Sequence, residues 1–304
     1  MSATQLRAIA IAVAALLLLW GATEMWSRRP DTAGGAFAFT APASGDVDTI
    51  AITRAGDTAL IVRHGAAAWT VNGFPAAATA INEFLGALRD SVRPPPELAA
   101  ESPASFARMG VDSADGRLLR LAGGGKTLAR LFVGGQGPEF DASYVRLPGD
   151  AHVYLWRGRL PSLAARSVDD WRDHEIAAIT PDSIAEVEIR RAGRSYVLRR
   201  QGDTWTLPGG LPADSVAVAQ LLARLRTVTA SGFATARQAE SLRFDRAQRR
   251  LSVRGTDRRE LLALAFDSST SGYWVRRPGG GMVYRLDAWL VDQLTPQAGT
   301  FTKK

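Results

Sequence analysis

Asp169, Asp170, Asp173, His174 and Glu175 place four carboxylates and an imidazole within seven residues, the densest set of groups in the chain that could hold a divalent cation or exchange a proton. The competing reading is a solvated linker or cap. The cluster falls at the seam between two similar halves, and the second half ends with Asp287 and Asp292 and no histidine. Gly123-Gly-Gly-Lys-Thr127 resembles the end of a phosphate-binding loop, but Arg120 stands where the first glycine is required. The flanking runs 118–121 and 128–133 read as strands, so the glycines are expected to form a hairpin turn. No Gly-x-Ser-x-Gly, His-Glu-x-x-His or Ser-x-x-Lys pattern occurs. The chain has no cysteine and three histidines, His64, His152 and His174, which excludes disulfides, thiol catalysis, iron–sulfur ligation and a lipid-bearing cysteine. The expectation is a non-enzymatic protein without metal or cofactor, with chemistry at the acidic seam as an alternative.

Charge is distributed unevenly. Residues 46–173 carry 14 Lys and Arg against 15 Asp and Glu, whereas 184–296 carry 18 against 11, a balance of +7 that equals the excess of the whole chain. Eight arginines fall in 237–259, among them Arg237 and Arg243, and the candidate interaction face is Arg246, Arg249, Arg250, Arg254, Arg258 and Arg259. Such a face attracts an acidic partner or anionic headgroups. Asp245, Asp257 and Glu260, interspersed with it, favour solvated strand edges instead, and nucleic acid is not an expected partner.

The elements that would position these groups come as two copies of one pattern. LIVRHGAAAWTV (60–71) matches YVLRRQGDTWTL (196–207) at an offset of 136, which sets Arg63 on Arg199 and Trp69 on Trp205. AINEFLGALR (80–89) matches AVAQLLARLR (217–226) at 137, and YVRLPGDAHVY (144–154) matches WVRRPGGGMVY (274–284) at 130. Each copy opens with short alternating runs, 48–53 and 59–63 in the first, and a tryptophan-bearing run at 68–71. A helix follows over 77–89, with Ile81, Phe84, Leu85 and Leu88 on one face; its counterpart starts after Asp214 and buries Val218, Leu221, Leu222 and Leu225. Four further strands follow in each copy, near 117–122, 128–133, 143–147 and 152–156, then near 250–254, 260–266, 273–277 and 282–286. The fold class is therefore α+β, with two tandem repeats of mainly antiparallel sheet carrying one packed helix each. Trp69 and Trp205 are expected as core anchors, with ligand stacking as the alternative.

Ahead of the repeats, Ala8 to Trp26 is a 19-residue apolar run, about 28 Å as a helix and just enough for a bilayer core. An uncleaved transmembrane anchor is expected, in preference to a cleaved signal peptide, because small-x-small cleavage sites are poor, and in preference to a buried core helix. Arg7 on one side and Arg28-Arg29 on the other nearly balance, so charge leans only slightly toward the bulk of the chain lying outside the cytoplasm. The expected division is an anchor over 1–30, a linker over 31–45, a first repeat over 46–175 and a second over 176–304.

The openings Ile50-Ala-Ile52 and Val187-Glu-Ile189, the strands Trp69-Thr-Val71 and Trp205-Thr-Leu207, and the Ser143–Arg146 to Val153-Tyr154 hairpin together resemble the bacterial family known as domain of unknown function 4340. The resemblance spans nearly all of 46–296 and rests on hydrophobic positions. It implies a single-pass protein of the cytoplasmic membrane with its soluble part outside, serving as an accessory or scaffold to an ABC transporter subunit. The alternative is an extracytoplasmic binding module for an anionic envelope component. The family supplies no catalytic residues to carry over.

Overall fold

The computed structural model describes residues 37–65, 68–90 and 95–302. The expected anchor over 1–30 lies outside these residues, and among them no helix is long and apolar enough to cross a membrane. The described chain is mostly antiparallel sheet with a few helices, an α+β fold. It divides into two compact units, the first containing the residues up to Gly73 and Ala78–Arg166, the second Phe74–Ala77 and Ser167 onward.

The first sheet contains β1 (Thr49–Arg54), β2 (Asp57–His64), β3 (Ala68–Val71), β4 (Phe74–Pro75), β5 (Glu97–Ala100), β6 (Arg117–Gly123), β7 (Lys126–Gln136), β8 (Ala142–Arg146) and β9 (Val153–Arg157). Their spatial order is β4-β3-β2-β1-β6-β7-β8-β9-β5. Apolar residues on alternate positions decide which face is buried: Ile50 and Ile52 of β1, Ile61 of β2, Leu119 and Leu121 of β6. Helix α1 (Ala78–Asp90) buries Ile81, Phe84, Leu85 and Leu88, the stripe that the spacing predicts. A short helix, Leu160–Ala164, buries Leu160, Leu163 and Ala164 beside it. The triple glycine is the β6–β7 turn, with Gly124 and Gly125 at positive φ and the Gly124 amide donating to the Asp48 carboxylate at 2.8 Å.

In unit 2, β10 (Glu175–Ala177) and β14 (Val228–Thr229) form a separate pair. The main sheet contains β11 (Ile184–Arg191), β12 (Arg194–Gln201), β13 (Thr204–Thr206), β15 (Gly232–Phe233), β16 (Arg249–Gly255), β17 (Glu260–Ser269), β18 (Gly272–Arg276) and β19 (Val283–Leu286). Its order is β13-β12-β11-β16-β17-β18-β19-β15, the same path that the first sheet takes from β3 to β5. Helix α2 (Ser215–Leu225) begins where Asp214 accepts hydrogen bonds from the amides of Val216 and Ala217. Val218, Leu221 and Leu225 are buried, while Leu222 is half-buried. Helix α3 (Ala288–Leu294) adds Val291 and Leu294 to the same core, so more than one helix packs here. Runs of five to seven residues are too short to show a helical period in sequence.

The two sheets open on the same turn. Ala55-Gly56 and Ala192-Gly193 both have positive φ, 49° and 91° in one and 49° and 76° in the other, an arrangement few alanines adopt. The next hairpin differs by one residue, with positions 65–67 between β2 and β3 but only Gly202-Asp203 between β12 and β13. Arg63 lies opposite Trp69, and it is Arg200, not Arg199, that lies opposite Trp205. The equivalence of Arg63 with Arg199 drawn from sequence is thus one residue out of step: the offset is 137 along β12 and becomes 136 only after the turn. Trp69 is buried, with the Arg63 guanidinium 4.6 Å from its ring centroid. Trp205 is only half-buried, since β13 is a three-residue edge strand.

On α1, Glu83 accepts hydrogen bonds from Arg166 and Arg159. The Arg166 bond holds its carboxyl below the ordinary glutamate value, about 4.3. A depressed folded value means the contribution to stability is present above the ordinary value and lost as pH falls through the folded one. Urea midpoints of wild type should therefore fall more steeply than those of Glu83→Gln between about pH 5 and pH 3. Parallel pH profiles would contradict this assignment.

Candidate functional site

Strand parity sorts the expected arginine face into separate locations. On β16, Leu251 and Val253 point into the core, so Arg250, Ser252 and Arg254 point to solvent. On β11 the inward residues are Val187 and Ile189, which leaves Glu186, Glu188 and Arg190 outward. On β12, Tyr196 and Leu198 are inward, with Ser195, Val197 and Arg199 outward. Glu186 lies opposite Arg199 on one side and Arg254 on the other. Its two oxygens accept from Arg199 Nε at 2.9 Å and Arg254 Nη1 at 2.8 Å. Arg250 donates from Nη2 to the carbonyl oxygens of Asp245, 2.9 Å, and Phe244, 3.2 Å.

The other arginines lie elsewhere. Arg249 has core-side parity, reaches Asp292 of α3 at 2.8 Å and lies 4.8 Å from the centroid of Tyr273. Arg246 and Arg259 are exposed beside Asp245 and Asp257 at 3.8 and 3.5 Å, and Arg258 sits in the β16–β17 turn with φ of 65°. Arg237 and Arg243 are exposed on the segment before β16. Only Arg250 and Arg254 of the expected six share the open face, and they share it with Arg190 and Arg199. The period-2 pattern of 184–191 and 194–201 would have found those two, had it been read together with that of 249–255.

Beyond β16 the same side of the sheet is covered. Phe244 and Ala247 pack on Ala265 and Val283, with the Arg276 guanidinium 4.7 Å from the Phe244 ring. Unit 1 has the same device, in which Arg146 lies 4.2 Å from Phe106 and 4.4 Å from Phe132 and donates from Nε to Val111 O at 3.0 Å. The solvent face of β1, β2 and β6 presents Thr53, Thr58, Leu60, Val62, Leu118 and Arg120, with a cleft of about 440 Å³ lined by Ala51, Leu60 and Val62 together with Asp48 and Arg120. One framework therefore carries a face with Arg120 and Arg130 among apolar and hydroxyl residues in unit 1, and a face of alternating arginines and glutamates in unit 2.

The acidic seam is tied into local structure in unit 2. Asp170 closes a capping box with Ser167 at the start of the helix Val168–Trp171. Asp169 meets Arg172 at 3.1 Å, and Asp173 accepts the Glu175 amide at 3.0 Å. The ring nitrogens of His174 lie 2.9 Å from Ala230 O and 3.0 Å from Asp169 O. Arg172 is only 6% exposed, with its guanidinium 4.0 Å from the centroid of Phe74 and 3.6 Å from that of Phe233. Among the described residues no group of three His, Asp or Glu side chains is gathered so that it could hold a metal ion.

A protein built from two antiparallel sheets on one strand plan, with an open charged strand face on the second, is the class that these observations define. The chain belongs to the DUF4340 family, a domain of unknown function whose family model matches residues 69–247, more than half of its length. Neither a curated protein nor a solved structure matches it.

Proposed function

We propose that the chain is a non-enzymatic, single-pass accessory or scaffold protein of an ABC-type transport system, with two tandem copies of one α+β unit held outside the cytoplasmic membrane by residues 8–26. The observation that carries the contact reading is the open face of β12, β11 and β16, on which Arg190, Arg199, Arg250 and Arg254 alternate with Glu186 and Glu188. A flat face of mixed sign suits a protein partner, since alternating charges fix register and reject wrong partners more than they add affinity. The 19-residue apolar run supports the anchor, and the setting is the one that the resemblance read from the sequence implies.

Recovery of partners from cross-linked membranes is the test. Replacing Arg190, Arg199, Arg250 and Arg254 together with Ser should lower recovery about tenfold, equivalent to about 1.4 kcal/mol of contact energy. The loss should be larger at low salt. Unchanged recovery would remove this face from the reading. An activity abolished by Asp169→Asn or His174→Gln alone would replace it with an enzyme at the seam.

A further inference from the structure

We propose that Arg190 and Arg250 form a binding site for a phosphate-type oxyanion on the open face of unit 2. The two residues are direct cross-strand partners in the β11–β16 register, and both point to solvent. Side chains so placed have Cβ atoms about 4.5–5.5 Å apart, and like charges there are destabilising unless a counter-charge lies between them. Arg190 has neither an ion pair nor a side-chain hydrogen bond among the described residues. Glu186 is shared by Arg199 and Arg254, and Glu188, two residues along β11 on the same face, makes no ion pair among the described residues.

Arg250 is also held in place. Its Nη2 is fixed by the carbonyl oxygens of Phe244 and Asp245, which leaves its other N–H groups to a ligand at little further entropic cost. Ser195, opposite Arg190 on β12, and Ser252, two residues from Arg250 on the same face, place hydroxyls beside the pair. A dianionic tetrahedral group satisfies two forked guanidiniums at once, as a single chloride does not. In unit 1 the register puts Thr53 opposite Leu118 at this position, so a charge pair here is particular to unit 2; the opposed arginines of unit 1, Arg120 and Arg130, lie on β6 and β7 instead.

This inference rests on the contact reading only in using the same face, and its test needs no partner. Thermal unfolding of the full chain in detergent is compared in chloride, inorganic phosphate and glycerol 3-phosphate at matched ionic strength. Phosphate should raise the Tm of wild type by about 2–4 °C over chloride. Arg190→Thr, which installs the residue of unit 1, should abolish that increment without lowering Tm in chloride, because it also relieves the repulsion. Arg237→Ser, on the neighbouring exposed segment, should keep the increment. A larger shift with glycerol 3-phosphate would identify a lipid headgroup as the source, and equal shifts would identify free phosphate. A full increment retained by Arg190→Thr, or none in wild type, overturns the proposal and leaves the partner-recovery result untouched.

Discussion

Trp156→Ala is expected to cost about 3–5 kcal/mol of the stability of unit 1, the range for deleting a large aromatic from a packed core. Trp156 is fully buried on β9, and the rings of Phe37 and Phe39 meet it nearly edge-on, at 5.8 and 5.7 Å between centroids. Among the described residues its indole N–H has no hydrogen-bond acceptor, so the loss is one of packing and Trp156→Phe should recover a large part of it. Phe37 and Phe39 precede β1 on a segment with no strand of its own, and these rings, with Tyr154 at 4.8 Å from Phe37, fasten it to unit 1. The alanine variant should therefore expose 37–46 to protease before the sheet unfolds. Urea unfolding with limited proteolysis checks both effects; a change below about 1 kcal/mol, with the segment still protected, would refute the packing account.

The second large effect is expected at Arg172. A desolvated cation over an aromatic face contributes up to about 2 kcal/mol, and two rings flank this one, so Arg172→Ala should destabilise unit 2 by about 2–4 kcal/mol. The ion pair to Asp169 adds little, because that carboxylate is half-exposed. Arg172→Lys keeps the charge but loses the planar stacking and should recover less than half the loss. Denaturant midpoints for the three proteins decide it. Equal stability of the lysine variant and wild type would mean that charge, not stacking, holds the contact.

The strand plan was legible in the sequence because inward residues alternate with outward ones on half-buried strands, and α1 and α2 were legible because their apolar stripes repeat at helical spacing. Asp214 was readable as a cap for a local reason, its side chain satisfying amides two and three residues on. Trp205 packs against the core as expected but stays half-buried; nothing in its neighbours states that β13 lies at a sheet edge. The short helices 160–164 and 288–294 carry too few turns to show a period. The open face was half-legible. The arginine run drew notice to Arg250 and Arg254, but clustering along the chain says nothing about parity, and the residues that share their side arrive from β11 and β12, some 60 positions earlier.

The one-residue difference between the two hairpins sets the rule for recombining the halves. Asp57–His64 and Arg194–Gln201 are both eight residues long and start after the same Ala-Gly turn, so they are interchangeable as blocks cut at the first hairpin. A graft that runs through the second turn at a single offset would instead rotate the following strand by one place. Its tryptophan would then be delivered to water and its threonine to the core. The same caution holds for any relative aligned to this chain: gaps belong at 65–67, and only with the gap there do substitutions at Arg199 report on the solvent face and those at Arg200 on the side that faces the tryptophan.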